Sequence, residues 1–158
     1  MWFWIYWAYK YAVVRYESLE PINAVSKGLN VWQPNVVTSD NSIFSLCQIW
    51  LVNQHNQLET IEVGWIVHPT EYDGDPRTRL FIYWTSDSYG YTGCWNLKCR
   101  GFMLAKDAFL PPGGVLKPVS TYKGEQRQIS VNVVKETPND AFRWALYIAD
   151  KLIGWYIV

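Results

Sequence analysis

The chain has 158 residues, enough for one domain with a sizeable core. Lys+Arg and Asp+Glu balance at 14 each, with no basic run and no nucleic-acid-binding motif, so nothing draws it toward nucleic acid or an anionic membrane. Its distinguishing feature is 10 Trp, 11 Tyr and 6 Phe, a content that suits pleated, half-buried surfaces and also grooves that take peptides or sugars.

Residues 1–10, MWFWIYWAYK, are aromatic but too short to cross a bilayer, and they lack the basic start and small-residue cleavage site of a secretory signal. They are set apart from a β domain over 11–158. Apolar runs rich in β-branched and aromatic residues predict strands at 11–16, 29–33, 43–52, 58–68, 78–86, 100–105, 115–122, 127–135, 142–149 and 151–157. Turn-forming stretches such as QPNVVTSDN, NQHNQ, EYDGDPR, LPPGG and ETPND separate them. Residues 139–153 also admit a short helix, but Trp144, Leu146 and Ile148 alternate, which favours a strand. Many short strands with connections of this length predict an all-β fold, an antiparallel sandwich or barrel.

One hairpin can be placed in register. With NQHNQ (53–57) as a loop centred on His55, Gln48 faces Glu62 and Trp50 faces Thr60. In LETIEVGWIV (58–67), Thr60, Glu62 and Gly64 share one face and Ile61, Val63 and Trp65 the other. Glu62 is thus a carboxylate within an apolar strand, with Gln48 as its expected neighbour and a glycine opening space beside it. It is either a solvent-facing strand residue or a carboxyl on a cleft floor, where burial raises its pKa toward general acid–base work.

Other chemistries find little support. The chain has no G-x-S-x-G, P-loop, H-E-x-x-H or G-x-G-x-x-G motif, and no metal or cofactor is expected. His55 (HNQ) and His68 (HPT) read as surface-loop residues. Asp40, Glu71, Asp73, Asp75, Glu125, Glu136 and Asp140 fall in turns, where solvation explains them. Cys94 and Cys99 in GCWNLKC favour a small-loop disulfide over a zinc site, which needs four ligands, and Cys47 is left as a buried free thiol. Carboxyl-only catalysis needs a pair, one ionised to activate water and one protonated to polarise the carbonyl or the leaving group.

Several segments together resemble the neprosin family of plant proteins. They run in order as YAVV (11–14), GLNVWQPNV (28–36), FSLCQIWLV (44–52), LETIEVGWIVHP (58–69), DPRTRLFIYWTSDSY (75–89), TGCWNLKCRGF (92–102) and VLKPVSTYKGEQRQISVNVVK (115–135), with FRWALYIADKLIGWYIV (142–158) following more loosely. The resemblance implies a secreted glutamic peptidase on a sandwich of two antiparallel sheets, active at acidic pH and cleaving after proline, with proline-containing peptides or proteins as substrates. It puts the first catalytic glutamate on Glu62 and a small-loop disulfide on Cys94 and Cys99. Gln48 lies in the matching S-x-x-Q-I-W stretch, and a role polarising or orienting the scissile carbonyl follows from its register rather than from the family.

The sequence also departs from the family. The second family glutamate lies beyond a segment that GWYIV (154–158) resembles in its beginning, and Glu125, Glu136, Asp140 and Asp150 do not sit in the matching context. Lys10 stands where the family commonly has an acid. The expectation is a sandwich incomplete at its C-terminus, hydrolysing weakly or not at all, with exposed sheet edges open to self-association. The alternative function is a non-catalytic module binding cell-wall polysaccharide or proline-rich peptide on Trp84, Tyr89, Tyr91 and Trp95, rings that otherwise fill or rim the core.

Overall fold

The computed structural model describes residues 11–36, 43–54, 56–138 and 141–157. Nine strands occur among them: β1 (Ala24–Asn30), β2 (Ser45–Asn53), β3 (Glu59–Val67), β4 (Arg79–Thr85), β5 (Cys94–Trp95), β6 (Phe102–Leu104), β7 (Gln128–Glu136), β8 (Arg143–Ile148) and β9 (Lys151–Tyr156). One 3-10 turn covers Pro69–Tyr72. The strands form two antiparallel sheets, ordered β2-β3-β4-β5 and β1-β7-β8-β9-β6, packed as an all-β sandwich.

Alternation decides which face of each sheet is buried. Ile61, Val63, Trp65 and Val67 of β3 point inward with Leu80, Ile82 and Trp84 of β4. Val131 and Val133 of β7, Leu146 and Ile148 of β8 and Tyr156 of β9 meet them from the other sheet. Polar links fix the two layers. The Trp65 indole donates to the Asn30 carbonyl (2.7 Å), the Thr78 hydroxyl to the Trp32 carbonyl (2.6 Å), and the buried Tyr156 hydroxyl to the main-chain carbonyl of Glu62 (3.0 Å).

Three predicted elements change. Residues 11–16 are exposed and form no strand, and the first strand is Ala24–Asn30 rather than 29–33. Residues 115–122 contribute only an isolated bridge, Val115 to Arg79. Pro118 has no N–H to donate to a ladder, and the amides of Leu116 and Ser120 serve different segments, at the carbonyls of Thr78 and Val31. At 143–156 the helical alternative loses to a hairpin, β8 to β9, whose two-residue turn places Ala149 (φ 48°) and Asp150 (φ 60°) in left-handed geometry.

The β2–β3 register differs from expectation by two residues. Gln48 lies opposite Gly64, and Trp50 opposite Glu62. Asn53 is still in the strand, paired with Glu59 and donating from its side chain to the Glu59 carboxylate (2.8 Å), so the turn starts one residue later. His55, the expected centre of that turn, lies outside the described residues. A shift of two preserves the face, so Gln48 and Glu62 remain on the same side.

Candidate active-site face

Glu62 lies on β3, an interior strand of its sheet, and points away from the inter-sheet core. The pairings put Trp50, Glu62, Tyr83 and Trp95 in one row across four strands. Thr60 and Thr85 flank that row on one side, and Gln48, Gly64 and Phe81 on the other. This outer face is covered: Glu62 is only 5% exposed, and Thr60, Thr85, Ile66 and Phe81 are buried as well. Rings supply much of the cover, with Trp95 edge-on to Phe81 (4.8 Å) and to His68 (5.7 Å), and His68 stacked on Phe44 (5.5 Å). His68 is accordingly half-buried and not a surface-loop residue, and burial lowers its pKa.

The carboxylate is held from one side. Thr60 donates to Oε1 (3.1 Å), and the Tyr89 hydroxyl donates to the same oxygen (2.8 Å). Among the described residues Oε2 accepts no hydrogen bond, and no lysine or arginine pairs with the group. A buried carboxylate without a countercharge is costly.

The surrounding phenols stay protonated. Burial pushes Tyr156 well above the ordinary tyrosine value, and the Glu62 charge adds to this. Tyr83 is raised by burial and by the charges of Glu62 and Asp87. Tyr89 is pushed up to about 12, by burial first and then by its bond to Glu62, against an opposing pull from Thr60. Tyr89 therefore serves as a hydrogen-bond donor at acidic and neutral pH.

Gly64 does something other than open space. A Cβ there would lie 2.0 Å from the Cys47 carbonyl oxygen and 2.6 Å from Gln48 Cα, so the glycine lets β2 approach β3 closely. That approach carries Gln48 onto the face diagonal to Glu62, with its Oε1 buried and without a hydrogen-bond partner. Cys47 is a free thiol whose pKa burial raises.

The four aromatic residues expected to form a platform separate. Trp84 pairs with Ile61 and Cys94, so it points into the core and lines no groove; its ring occupies the space a Cβ on Gly101 would need. Tyr91 is fully exposed, and among the described residues only its amide is engaged. Tyr89 and Trp95 remain on the Glu62 face. Cys94 and Cys99 form the disulfide, which closes the loop after β5.

Glu136 is also not a turn residue: it ends β7 on the outer face of the other sheet. Sequence reasoning missed Tyr83, Asp87 and Tyr156 as neighbours of the site. Only Asp87, followed by Ser-Tyr-Gly, carries a turn signal that could have flagged it.

Residues 41–157 match the family model Neprosin, well over half of the chain. The chain belongs to the neprosin family. The match contains β2 through β9, and with them Gln48, Glu62, Tyr89, Trp95 and both disulfide cysteines. The stretches 11–14 and 28–36 quoted for the resemblance lie ahead of the matched residues.

Proposed function

We propose that the Glu62 face is a peptide-hydrolysing site of the glutamic-peptidase kind, with Glu62 as a catalytic carboxyl. The observation that carries this reading is a carboxylate 5% exposed, on an interior strand, whose two hydrogen bonds from the described residues both fall on one oxygen. The bonds from Thr60 and Tyr89 orient the group and leave Oε2 to a water or a substrate carbonyl. Gln48, with its unpartnered amide oxygen on the same face, is suited to orient the scissile peptide by accepting from a substrate N–H. Trp50 and Trp95 stand at the two ends of the row and offer ring faces to a proline.

A full glutamic mechanism divides acid and base roles between two carboxyls. Among the described residues no second carboxyl contacts Glu62. Asp87 does not qualify, because five donors occupy its two oxygens and hold its pKa well below the usual carboxylate range. With a single carboxyl, these residues bind peptide and hydrolyse it slowly, on the order of 10²–10⁴-fold below a site with general acid and base both in place.

The test is incubation of the chain with a proline-containing peptide in acidic buffer, following cleavage together with NMR shifts of the Trp50 and Trp95 indoles. Expected are indole shifts on binding and slow cleavage that falls to background in Glu62→Gln. Cleavage that is indifferent to Glu62→Gln would sink the assignment. Fast cleavage lost in Glu62→Gln would keep Glu62 and overturn the single-carboxyl limit.

A further inference from the structure

The loop that brings Tyr89 to Glu62 is organised around one acid. Asp87 Oδ1 accepts from the hydroxyls of Thr92 (2.6 Å) and Thr85 (3.2 Å) and from the amide of Gly90 (3.1 Å). Oδ2 accepts from the amides of Tyr91 (2.7 Å) and Thr92 (2.8 Å). A single carboxylate thus ties together residues 85 to 92, on both sides of Tyr89. Inside this ring Ser88 (φ 59°) and Tyr89 (φ 62°) are consecutive left-handed residues, a geometry that non-glycine side chains resist. The Tyr89 amide donates to Thr85 Oγ1 (3.0 Å), and Ser88 is pinned to Leu58 by two bonds, amide to carbonyl (2.9 Å) and Leu58 amide to Ser88 Oγ (3.0 Å).

We propose that Asp87 is the positioning residue of the Glu62 site, holding a strained turn closed so that the Tyr89 hydroxyl stays on Glu62 Oε1. Without the carboxylate, five donors lose their common acceptor and the two left-handed residues relax toward ordinary backbone. Tyr89, already exposed along part of its ring, then swings off the face. Thr60 would be left as the only donor to Oε1. Because its donors hold the Asp87 pKa far below the usual range, the turn stays closed in acid, the condition under which a carboxyl site works. Among the described residues the charged and titratable groups that meet Tyr89 are Glu62 and Tyr83, with Thr60 as the neutral third neighbour.

The importance of this turn rests on Glu62 being the reacting carboxyl, but its geometry can be tested without substrate. Tetranitromethane nitrates tyrosines through the phenolate, so a buried, bonded phenol reacts slowly at mildly alkaline pH. In the unaltered protein Tyr91 should nitrate readily and Tyr89 poorly, read by peptide mass spectrometry. In Asp87→Ala the rate at Tyr89 should rise at least tenfold toward that of Tyr91, with near-ultraviolet circular dichroism confirming the fold. Asp75→Ala, which removes another strongly held acid in a separate loop bonded to Arg77 and Arg79, should leave Tyr89 unchanged. An unchanged Tyr89 rate in folded Asp87→Ala, or an equal rise in Asp75→Ala, overturns the proposal. Should Asp87→Ala not fold, Asp87→Asn gives the same reading with a smaller rise, since one of its two acceptor oxygens survives. Loss of peptide cleavage alone bears on Glu62 and leaves the nitration result standing.

Discussion

Each outer face of the sandwich carries one glutamate among aromatic rings, and the two are treated in opposite ways. Glu136 is saturated. One oxygen accepts from the Tyr147 hydroxyl (2.8 Å); the other accepts from the Trp155 indole (3.2 Å) and the Arg143 guanidinium (3.2 Å), while Arg143 itself stacks over the Trp155 ring. Burial works against its charge, yet these partners outweigh burial and lower its pKa. Glu62 is more deeply buried, has two neutral donors on one oxygen and no cation among the described residues. Glu136 is therefore a structural clamp between β7, β8 and β9, and Glu62 is a carboxyl short of partners among the described residues, as the proposed chemistry at that atom requires.

The widest break between the faces should come from Gly64→Ala. Its methyl would meet Cys47 and Gln48 backbone at 2.0–2.6 Å, which only separation of β2 from β3 relieves. A loss of about 3 kcal/mol or more in denaturant unfolding is expected, from overpacking against main chain. A loss below about 1 kcal/mol would mean that the strand approach is not what Gly64 provides.

Next comes Glu136→Gln, expected to cost about 1–2 kcal/mol at neutral pH for the loss of charge-assisted bonds at a partly exposed site. The sign with pH follows from its lowered folded pKa. Its stabilisation is complete above the ordinary Glu value of about 4.3 and is lost as pH falls through the lower folded value. The gap between the unaltered protein and Glu136→Gln should therefore close in acid, and a gap that widens there would contradict the clamp.

Tyr156→Phe probes what supports Glu62 from beneath. It removes one buried hydroxyl from the Glu62 main-chain carbonyl and should cost about 1 kcal/mol, seen as a lowered Tm. The smallest effect is alkaline. Tyr83, Tyr89 (about 12) and Tyr156 all have raised folded pKa values, so the stability linked to them is complete below the ordinary tyrosine value of about 10 and fades as pH rises through their folded values. Tyr89→Phe should shrink that alkaline loss, whereas a Tm independent of pH across this range would contradict it.

Much of the Glu62 face could be read from the sequence because strand parity is local. The alternation of Ile61, Val63, Trp65 and Val67 fixes the buried side of β3, and with it the opposite side for Thr60, Glu62 and Gly64. Register was less legible, since it depended on whether Asn53 belonged to strand or turn, and its bond to Glu59 settled that in favour of the strand. Trp84 went to the wrong face because an aromatic residue suits a core as well as a groove, and only pairing with Ile61 assigns it. The turn that delivers Tyr89 is legible only in part: Asp87 before Ser-Tyr-Gly carries a turn signal, but Ser88 is also held by Leu58, far away in sequence. Glu136 reads as a turn acid from the sequence because its partners come from β8 and β9, which no local pattern reveals.

The most direct measurement is Glu62→Gln, with thermal stability at neutral pH and peptide cleavage in acidic buffer taken on the same sample. Replacing an uncompensated buried charge by its neutral isostere should leave Tm unchanged or raise it, while cleavage falls to background. A Tm that drops as far as in Glu136→Gln, with cleavage intact, would show that carboxyl 62 is another structural clamp.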